Sequence, residues 1–387
     1  MAWLVPENML DDQQRDFVEN VDINQRNVWI KGFPGSGKSV LLAYTMKRIK
    51  RNDPNAKVAV VVFTHSLIAM FKAAFSEMGI AANIMTYFEF MDKSSNYDYV
   101  LSDEVQDMTA RVLATMNSRA KHVIVAGDEN QSIFESDPKY REATVTPSQI
   151  TSLLNCRDFE LGIIHRLSSS IIAAVERFMP NLNIFTARRD MTKRNTQIRL
   201  CSANSPEQEV KYIIKEAQRA VNIGDTAAIL IPTQQKILEF FQMTLTALGK
   251  SQWSVQLNRF GKIDYNKLNS YLRTNGIKLQ YVGNGYGSFT EEGKICIMTY
   301  HSSKGLDFDN VFLPGLNQSL YINSSERLSR TLFMVAMTRS RNNLYLTHSG
   351  SRSAYLSNFA DDCSRINVGD VLSGQTTTSG GGNIFGI

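Results

Sequence analysis

The sequence predicts an α/β fold in which two mostly parallel sheets are each flanked by helices. Short runs of β-branched residues alternate with helical patterns along the first 130 residues, and the same alternation begins again near residue 159. A turn-rich stretch at residues 136–148 separates the two series. Alternation of this kind is typical of a parallel sheet covered by helices. We therefore expect two α/β domains that are joined by a linker near residue 150.

The elements of each series are placed by their hydrophobic periodicity. The first series has predicted strands at residues 28–30, 58–63, 99–101 and 123–125, and predicted helices at residues 39–50 and 67–78. The second series has predicted strands at residues 159–164, 198–201, 227–231, 295–299, 311–313 and 344–347. The predicted domains are residues 1–150 and 151–365, with a short insertion at residues 250–294 and a flexible tail at residues 366–387.

The composition is that of an ordinary globular protein. The 387 residues are 43% hydrophobic and 20% charged, which excludes wholesale disorder. No apolar run approaches the roughly 18 residues of a membrane span, and no secretory signal is visible, so we expect a soluble cytoplasmic protein. Lysine and arginine exceed the acids by 42 to 37, which is compatible with nucleic-acid binding. The four cysteines are far apart and are expected to be buried, reduced thiols.

A nucleotide-binding loop is predicted at residues 32–39, which read GFPGSGKS. This segment fits the pattern G-x-x-x-x-G-K-[ST] and lies between a predicted strand and a predicted helix. The glycines let backbone N–H groups curl around phosphate oxygens, and the helix N-terminus adds positive potential. The lysine would reach the β- and γ-phosphates, and the last serine would bind Mg²⁺. The predicted binding residues are Gly35, Ser36, Gly37, Lys38 and Ser39.

Two adjacent acids, Asp103 and Glu104, follow the predicted strand at residues 99–101. In a parallel sheet the carboxyl ends of the strands face the ligand. Asp103 is therefore predicted to help hold Mg²⁺, and Glu104 is predicted to orient and deprotonate the attacking water. This arrangement favours a hydrolase over a kinase.

Residues 103–107, which read DEVQD, resemble the D-E-x-Q-D box of superfamily I helicases of the UvrD/Rep/PcrA type. Further boxes follow in the order of this family. They are residues 10–14 (LDDQQ), 127–134 (GDENQSIF), 161–166 (LGIIHR, a weaker match), 301–308 (HSSKGLDF) and 335–341 (VAMTRSR). The resemblance therefore extends over nearly the whole chain.

The resemblance implies two RecA-like P-loop NTPase domains, with ATP and Mg²⁺ bound on the first. The nucleotide contacts that it implies are Gln14 for adenine, Gln131 for the γ-phosphate, Asp307 for the ribose region, and Gly305. It also implies that the second domain contributes two arginines, Arg166 and Arg339, to the ATP. A guanidinium aimed at the γ-phosphate stabilises the charge that builds there in the transition state.

Two more boxes, at residues 63–65 and 86–88, resemble the family's strand-binding segments. Hydroxyls and backbone N–H groups can hold phosphates, while aromatic faces stack on bases irrespective of sequence. The candidate contacts with single-stranded DNA are Phe63, Thr64, His65, Thr86, Tyr87, Phe134 and His301. The alternative for Tyr87 and Phe88 is a place in the hydrophobic core, and the alternative for both histidines is a purely local role.

The sequence departs from the family pattern in three places. Ser136 stands where the family has a base-stacking tryptophan, and Asp307 replaces the usual glutamate near the ribose. Only fifteen residues separate Tyr87 from Asp103, where the family inserts a helical subdomain, and the insertion at residues 250–294 is also short. The resemblance therefore implies a compact motor without the accessory domains that grip duplex.

Two hypotheses for function remain open. The first is an ATP-dependent translocase or helicase on single-stranded DNA, with 3′→5′ polarity implied by the resemblance, acting on a free strand or on duplex with a single-stranded tail. The second is a DNA-triggered ATPase switch that works beside a protein partner such as a nuclease and unwinds little by itself. An RNA helicase is disfavoured because its third and fifth boxes differ from residues 127–134 and 301–308. A small-molecule kinase needs neither Gln131 nor a pair of arginines. Neither hypothesis involves a membrane.

Overall fold

The computed structural model describes residues 4–128, 132–137, 141–180, 188–189, 194–283, 285–288 and 293–374. These residues belong to two compact units. Unit 1 comprises Met1–Arg166 with Ile184–Met191, and unit 2 comprises Leu167–Asn183 with Thr192–Ile387. Each unit is a parallel sheet flanked by helices, so the predicted α/β fold is confirmed.

Unit 1 contains a six-stranded sheet whose neighbouring strands all pair in parallel. Its strands are β1 (Val28–Gly32), β2 (Val58–Val62), β3 (Asn83–Thr86), β4 (Tyr97–Ser102), β5 (Ala120–Gly127) and β6 (Arg157–Leu161). A separate short pair is formed by β7 (Ile163–Ile164) and β8 (Arg188–Arg189). The helices are α1 (Asp12–Asn20), α2 (Lys38–Asn52), α3 (His65–Glu77), α4 (Tyr87–Asp92), α5 (Ala110–Arg119) and α6 (Pro147–Leu154). The strand order is β3-β2-β4-β5-β1-β6.

Unit 2 contains a seven-stranded parallel sheet. Its strands are β9 (Gln197–Ala203), β10 (Ala227–Ile231), β11 (Leu279–Tyr281), β12 (Ile295–Thr299), β13 (Phe308–Leu313), β14 (Ser340–Ser349) and β15 (Ser364–Asn367). The helices are α7 (Ser169–Phe178), α8 (Pro206–Asn222), α9 (Gln234–Ala247), α10 (Tyr265–Thr274), α11 (Glu326–Met337) and α12 (Val368–Ser373). The strand order is β11-β12-β10-β13-β14-β9-β15.

The central strands explain why both sheets are parallel. All five residues of β2 (VAVVV) and all five of β10 (AAILI) are buried. Continuous apolar runs of this kind are typical of strands that are covered by helices on both faces. The helices are amphipathic to match: in α8 the buried residues Val210, Ile213 and Ala217 recur at intervals of three and four. The two sheets also share one strand order, because unit 2 repeats the order of unit 1 with β12 inserted between β11 and β10.

Strand β6 corrects the sequence analysis. The predicted strand at residues 159–164 was assigned to the second series, but β6 pairs in parallel with β1, from Val28 opposite Arg157 to Gly32 opposite Leu161. The predicted linker at residues 136–148 also belongs to unit 1, where Thr144 bridges to Thr109 and Thr146 caps α6. The division between the units therefore follows Arg166 rather than residue 150.

The two places where the sequence indicates short connections are compact in the structure. Helix α4 has six residues, and β4 begins after the four residues 93–96. The insertion at residues 250–294 contributes α10 and β11 to unit 2, and β11 extends the sheet beside β12. Within the described ranges no helix is both long and apolar enough to cross a membrane. Most of the tail at residues 366–387 lies outside the described residues.

Candidate nucleotide-binding and nucleic-acid-binding sites

The phosphate loop joins β1, in the interior of the first sheet, to the N-terminus of α2. Gly35 and Gly37 have φ angles of +76° and +92°, a left-handed backbone that favours glycine. A side chain at Gly35 would place its Cβ 2.4 Å from the Cβ of Arg166, and one at Gly37 would lie 2.4 Å from Nε2 of Gln14. The loop therefore needs glycine both for its backbone and for the close approach of two neighbours.

Lys38 begins α2 with its amine directed back over the loop. Its Nζ donates hydrogen bonds to the carbonyl oxygens of Gly32, at 2.7 Å, and Phe33, at 3.0 Å. Burial lowers the pKa of Lys38, and the carboxylates of Asp128 and Glu104 oppose this change. The amine is thus held at the mouth of the loop, where it can exchange two carbonyl contacts for phosphate oxygens.

Ser39 and Asp103 form the oxygen pair that the sequence predicts. The Ser39 hydroxyl donates to Oδ2 of Asp103 at 2.5 Å, and Asp103 is only 1% exposed. Burial, followed by the charge of Glu104, raises the pKa of the Asp103 carboxyl, while Ser39 and Lys38 oppose the rise. A hydroxyl and a carboxylate beside a phosphate loop are hard oxygen donors, and they fit Mg²⁺ that is bound together with phosphates. No group of three or more His, Cys, Asp or Glu side chains among the described residues could hold a metal.

Glu104 is held by its backbone and by one neighbouring amide. Its φ angle of +56° is left-handed, which is uncommon for a residue with a side chain. Gln106 donates from Nε2 to Oε2 of Glu104 at 2.6 Å and accepts at Oε1 from the N–H of Asp128 at 3.1 Å. A Cβ at Gly127 would lie 2.3 Å from that same Oε1. Gln106 therefore joins the ends of β4 and β5 and fixes the predicted general base.

The role of Gln106, the glutamine of the DEVQD box, is visible only in the structure. The neighbouring Asp107 accepts a hydrogen bond from the N–H of Ile133 at 3.1 Å. This contact anchors the segment that follows Gln131 to the same box. Gln131 itself lies outside the described residues.

Gln14 contacts the phosphate loop through its side chain. It is 5% exposed, and its Nε2 donates to the carbonyl oxygen of Ser36 at 3.0 Å. Gln14 and Asp11 form a reciprocal cap at the start of α1, in which each side chain accepts from the other backbone N–H. The structure thus places Gln14 beside the loop, and the reading of adenine by this residue stays a prediction.

Arg166 lies in unit 1, not in the second domain as the sequence analysis expected. The backbone N–H groups of His165 and Arg166 donate to the carbonyl oxygen of Gly35, at 2.9 and 3.1 Å. Because β6 pairs with β1, the chain that leaves β6 passes directly beside the phosphate loop. The Arg166 charge contributes to the lowered pKa of Lys38. The guanidinium is therefore next to the loop because of its position in the first unit.

In unit 2 the boxes at residues 301–308 and 335–341 meet at the starts of β13 and β14. Arg339 is 1% exposed, and its guanidinium donates to the carbonyl oxygens of Val335 and Leu306 at 2.8 and 3.2 Å. Asp307, the predicted ribose contact, pairs with Arg341. Gly305 has a left-handed φ of +83° in the turn that precedes them. The nucleotide contacts of Arg339, Asp307 and Gly305 stay predictions.

An aromatic cluster (Phe63, Tyr87, Phe88 and Phe134) lies beyond the carboxyl ends of β2 and β3. The ring centroid of Phe63 lies 5.0 Å from that of Tyr87 and 4.6 Å from that of Phe134. The ring centroids of Tyr87 and Phe88 are 4.0 Å apart. Tyr87 is 1% exposed, whereas the three phenylalanines are half-buried. The Tyr87 hydroxyl donates to the buried carboxylate of Asp137. Tyr87 thus takes the core position that was its alternative, and the phenylalanines present the accessible ring surface.

The remaining strand-binding candidates occupy helix starts and a turn. Thr64 caps α3 by accepting from the N–H of Leu67, and Thr86 caps α4 by accepting from the N–H of Glu89. His65 is exposed on the first turn of α3. In unit 2, burial and then the charge of Lys304 lower the pKa of His301 to about 4, so this histidine is neutral near pH 7. Nucleic-acid contact by these residues stays a prediction.

Two family models match the chain, one in each unit. The model described as an AAA domain matches residues 14–137, and the model described as a UvrD-like helicase C-terminal domain matches residues 251–351. Among curated proteins, DNA helicase II of Rickettsia typhi is 36% identical over 74 residues, and PcrA of Staphylococcus aureus is 39% identical over 75 residues. Residues 251–351 are thus similar to the C-terminal domain of UvrD-like helicases, and the relatives in both comparisons are named as DNA helicases.

The similarity to individual members of this family is local. The Rickettsia typhi match covers 16% of this chain and 11% of the relative, and the Staphylococcus aureus match covers 17% and 10%. The chain thus spans about a tenth of the length of the curated relatives that it matches. A solved structure, the C-terminal domain of a possible DNA helicase from Lactobacillus plantarum WCFS1, is 16% identical with a TM-score of 0.33, covering 50% of this chain and 92% of that one.

Proposed function

We propose that this protein is an ATP-driven translocase on single-stranded DNA, a compact motor of the UvrD type that moves 3′→5′. The observation that carries the proposal is the paired arrangement below the phosphate loop, where Ser39 contacts Asp103 at 2.5 Å and Lys38 covers the loop carbonyls. This arrangement would hold a metal–triphosphate complex at the end of a parallel sheet. The direction of movement comes from the family resemblance alone.

In the proposed reaction unit 1 binds ATP and activates water. Lys38 and the loop N–H groups hold the phosphates, while Ser39 and Asp103 would hold Mg²⁺, which neutralises charge on the phosphate oxygens when it is bound. Glu104, aimed by Gln106, orients the water and removes its proton. We assign γ-phosphate sensing to Gln131 and the stabilisation of transition-state charge to Arg166 and Arg339.

We propose that the strand contacts the aromatic cluster of unit 1. The half-buried rings of Phe63 and Phe134 offer stacking surface, and the hydroxyls of Thr64 and Thr86 are donors that can contact phosphates. His65 and His301 are the remaining proposed contacts. Alternating grip on the strand, coupled to ATP hydrolysis, would give directional stepping.

A second candidate function is favoured by one observation. Ser136, which stands where the family has a stacking tryptophan, is exposed, so one stacking step is missing beside Phe134. Loss of such a step typically costs about 1–3 kcal/mol per base. A motor with a weaker grip would serve as a DNA-triggered ATPase switch that acts on a protein partner such as a nuclease. In either case we propose a cytoplasmic location, which agrees with the four buried free thiols.

The test is the ATPase rate with and without a poly-dT oligonucleotide, together with strand displacement on 3′-tailed and 5′-tailed duplexes. The translocase proposal expects strand-stimulated turnover and displacement from the 3′-tailed duplex alone. Lys38→Ala is the inactive control, and Arg51→Ala, at an exposed residue in the last turn of α2, is the matched control. Turnover that the strand leaves unchanged at low salt would contradict the proposal, and stimulation without displacement would favour the switch.

A further inference from the structure

The positive charge of this protein is concentrated in one short segment. Residues 250–278 contain six lysines and arginines and a single acid, which gives this segment a net charge of +5. The rest of the chain has 36 basic and 36 acidic residues and is balanced. The single acid, Asp264, caps α10 by accepting from the N–H groups of Asn266 and Lys267. The segment is therefore a local basic patch in a chain that is otherwise neutral.

Exposed apolar side chains are concentrated in the same segment. The described residues include seven large hydrophobic side chains that are exposed, and three of them fall within six residues. These are Val255 at 46%, Leu257 at 57% and Phe260 at 70% exposure. Exposed apolar groups that cluster together and are flanked by charge indicate an interaction surface rather than a chance distribution.

Most of this surface lies on a hydrogen-bonded turn, which we call the basic hairpin (residues 256–264). Leu257 and Ile263 form an antiparallel bridge, and the N–H of Asp264 donates to the carbonyl oxygen of Gln256 at 2.8 Å. The side chain of Asn258 accepts from the N–H groups of Phe260 and Lys262, at 2.9 and 3.1 Å. These bonds close the turn and hold its tip in one conformation.

The basic hairpin is also fastened to the core of unit 2. Asn258 donates from Nδ2 to the hydroxyl of Tyr286 at 3.2 Å. Trp253, just before the hairpin, is buried in the hydrophobic cluster of unit 2, and Ile263 packs against that cluster. These contacts fix the position of the hairpin on unit 2 and hold the exposed ring of Phe260 toward solvent.

At the tip, Arg259 lies over the ring of Phe260, with the guanidinium carbon 4.7 Å from the ring centroid. Lys262, two residues after Phe260, is also exposed. An exposed ring with a cation on either side of it in the sequence matches a nucleic-acid strand, in which a base stacks on the ring and the neighbouring phosphates contact the cations. Duplex fits less well, because its bases are already stacked on one another.

We propose that the basic hairpin binds single-stranded nucleic acid, with Phe260 stacking on a base and Arg259 and Lys262 contacting phosphates. The inference rests on the proposed function, because it gives the same strand a second point of attachment on unit 2. None of the three residues lies in one of the helicase boxes identified in the sequence, so the contact is additional to those boxes.

The test is fluorescence anisotropy of labelled dT30 with the full chain across a series of salt concentrations. Phe260→Ala should weaken binding about 5- to 100-fold and leave the salt dependence unchanged. The double variant Arg259→Ala/Lys262→Ala should lower the slope of log K against log salt by about 1.4, because about 0.7 counterions are released per phosphate contact on a single strand. Phe260→Trp should retain wild-type affinity.

Matched controls separate the tip from general surface effects. Tyr321→Ala removes another exposed ring, 59% exposed, and Arg51→Ala removes an exposed cation in the last turn of α2. Both controls should bind dT30 like the wild type, and all variants should unfold at the wild-type temperature. Replacement of Phe260 by a photo-crosslinking phenylalanine should join the tip to labelled dT30.

The outcomes distinguish this inference from the proposed function. If the wild type binds dT30 and its ATPase is stimulated, but the tip variants bind equally well, the hairpin proposal is overturned and a protein ligand becomes the better assignment. If the tip variants lose binding while strand leaves wild-type turnover unchanged, the translocase is overturned and the hairpin contact stands. Tip variants that lose more affinity for blunt duplex than for dT30 would also contradict the hairpin proposal. Absence of any binding by the wild type overturns both.

Discussion

The two sheets of this protein have the same strand order, yet only one of them carries a phosphate loop. In unit 1 the first strand, β1, is followed by residues 33–37, and the N-cap of α2 is Gly37, which offers no side-chain cap. In unit 2 the first strand, β9, is followed by Asn204 and Ser205, and Ser205 caps α8 by accepting from the N–H of Gln208 at 3.2 Å. The helix that follows the first strand thus lacks a side-chain cap in unit 1 and has one in unit 2.

The difference indicates why phosphate binding is predicted at the start of α2 and not at the start of α8. Helix α8 already satisfies its first turn with its own cap, and it carries the acids Glu207 and Glu209 there. Helix α2 has no acid in its first turn and begins with a lysine. Unsatisfied N–H groups and the positive end of a helix dipole attract phosphate. The N–H groups at the start of α2 have no side-chain cap, whereas an N–H group at the start of α8 is bonded to Ser205.

The largest expected effect concerns two matching strands, β4 of unit 1 and β13 of unit 2. Asp103 and Glu104 follow β4, whereas Pro314 and Gly315 follow β13 at the matching place. Glu104→Gln should lower the kcat of ATP hydrolysis about 10³-fold, because the amide cannot accept the proton of the attacking water. Binding of a fluorescent ATP analogue should remain close to wild type. A variant at an exposed acid, Glu77→Gln, should keep full turnover, and a loss of less than tenfold in Glu104→Gln would remove this residue as the base.

The second prediction breaks the comparison directly by exchanging the N-caps. Gly37→Ser gives α2 the cap of α8, but it forces a side chain into φ +92° and toward Nε2 of Gln14. We expect about a 10²-fold loss of ATPase, because small displacements of bound phosphates are costly to the reaction. Steady-state turnover at saturating ATP measures the effect. Turnover within threefold of wild type would show that the loop tolerates a side chain at this position.

The third prediction concerns the aromatic cluster of unit 1. Tyr87→Phe removes a hydrogen bond to the buried carboxylate of Asp137 and should lower the free energy of unfolding by about 2 kcal/mol. Urea denaturation measures the change. Tyr99→Phe is the matched control, since its hydroxyl donates to Asn24 at an exposed place, 2.5 Å away. Equal decreases in the free energy of unfolding of the two variants would mean that the burial of Asp137 does not strengthen its hydrogen bond with Tyr87.

The fourth prediction tests the closed helix start of unit 2. Ser205→Ala removes the cap of α8 and should lower the free energy of unfolding by about 1 kcal/mol, with no change in ATPase. Ser205→Gly should cost only a few tenths of that amount, because glycine is tolerated at N-caps. A marked fall in turnover with Ser205→Ala would mean that this helix start takes part in the reaction after all.

The smallest expected effect is a pH dependence that originates in unit 2. The pKa of His301 is lowered from its ordinary value of 6.5 to about 4, so the folded chain binds this proton less readily than the unfolded chain. The contribution of His301 to stability is therefore complete above pH 6.5 and decreases as the pH falls toward 4. His301→Asn should remove this part of the decrease, while His65→Asn, at an exposed histidine of unit 1, should retain it. Parallel pH profiles of the wild type and His301→Asn would exclude the effect.

Local chemistry was predictable from the sequence, and long-range pairing was not. The phosphate loop could be located because its glycines, lysine and serine are contiguous, and their spacing follows from the size of a phosphate group. Strand β6 could not be assigned, because its sequence, RDFEL, describes an edge strand without naming its partner. The place of Arg166 in unit 1 follows from that pairing, so it was missed for the same reason.

The roles of single polar side chains were also hidden. Gln106 lies inside a recognised box, but its bridge between Glu104 and Asp128 depends on the adjacency of β4 and β5. The contact of Tyr87 with Asp137 joins residues fifty positions apart. Such contacts depend on backbone geometry that no periodicity encodes. The contacts of Arg339 and Gln131 with ATP remain predictions.

The concentration of charge in the basic hairpin has a kinetic consequence. A polyanion that diffuses toward a uniformly positive protein can collide productively from many sides, but here the long-range attraction comes from one insertion. The first encounter would therefore orient the molecule, and the association rate, more than the lifetime of the complex, should collapse when that insertion is neutralised. Stopped-flow mixing at low ionic strength would reveal this as a selective slowing of capture.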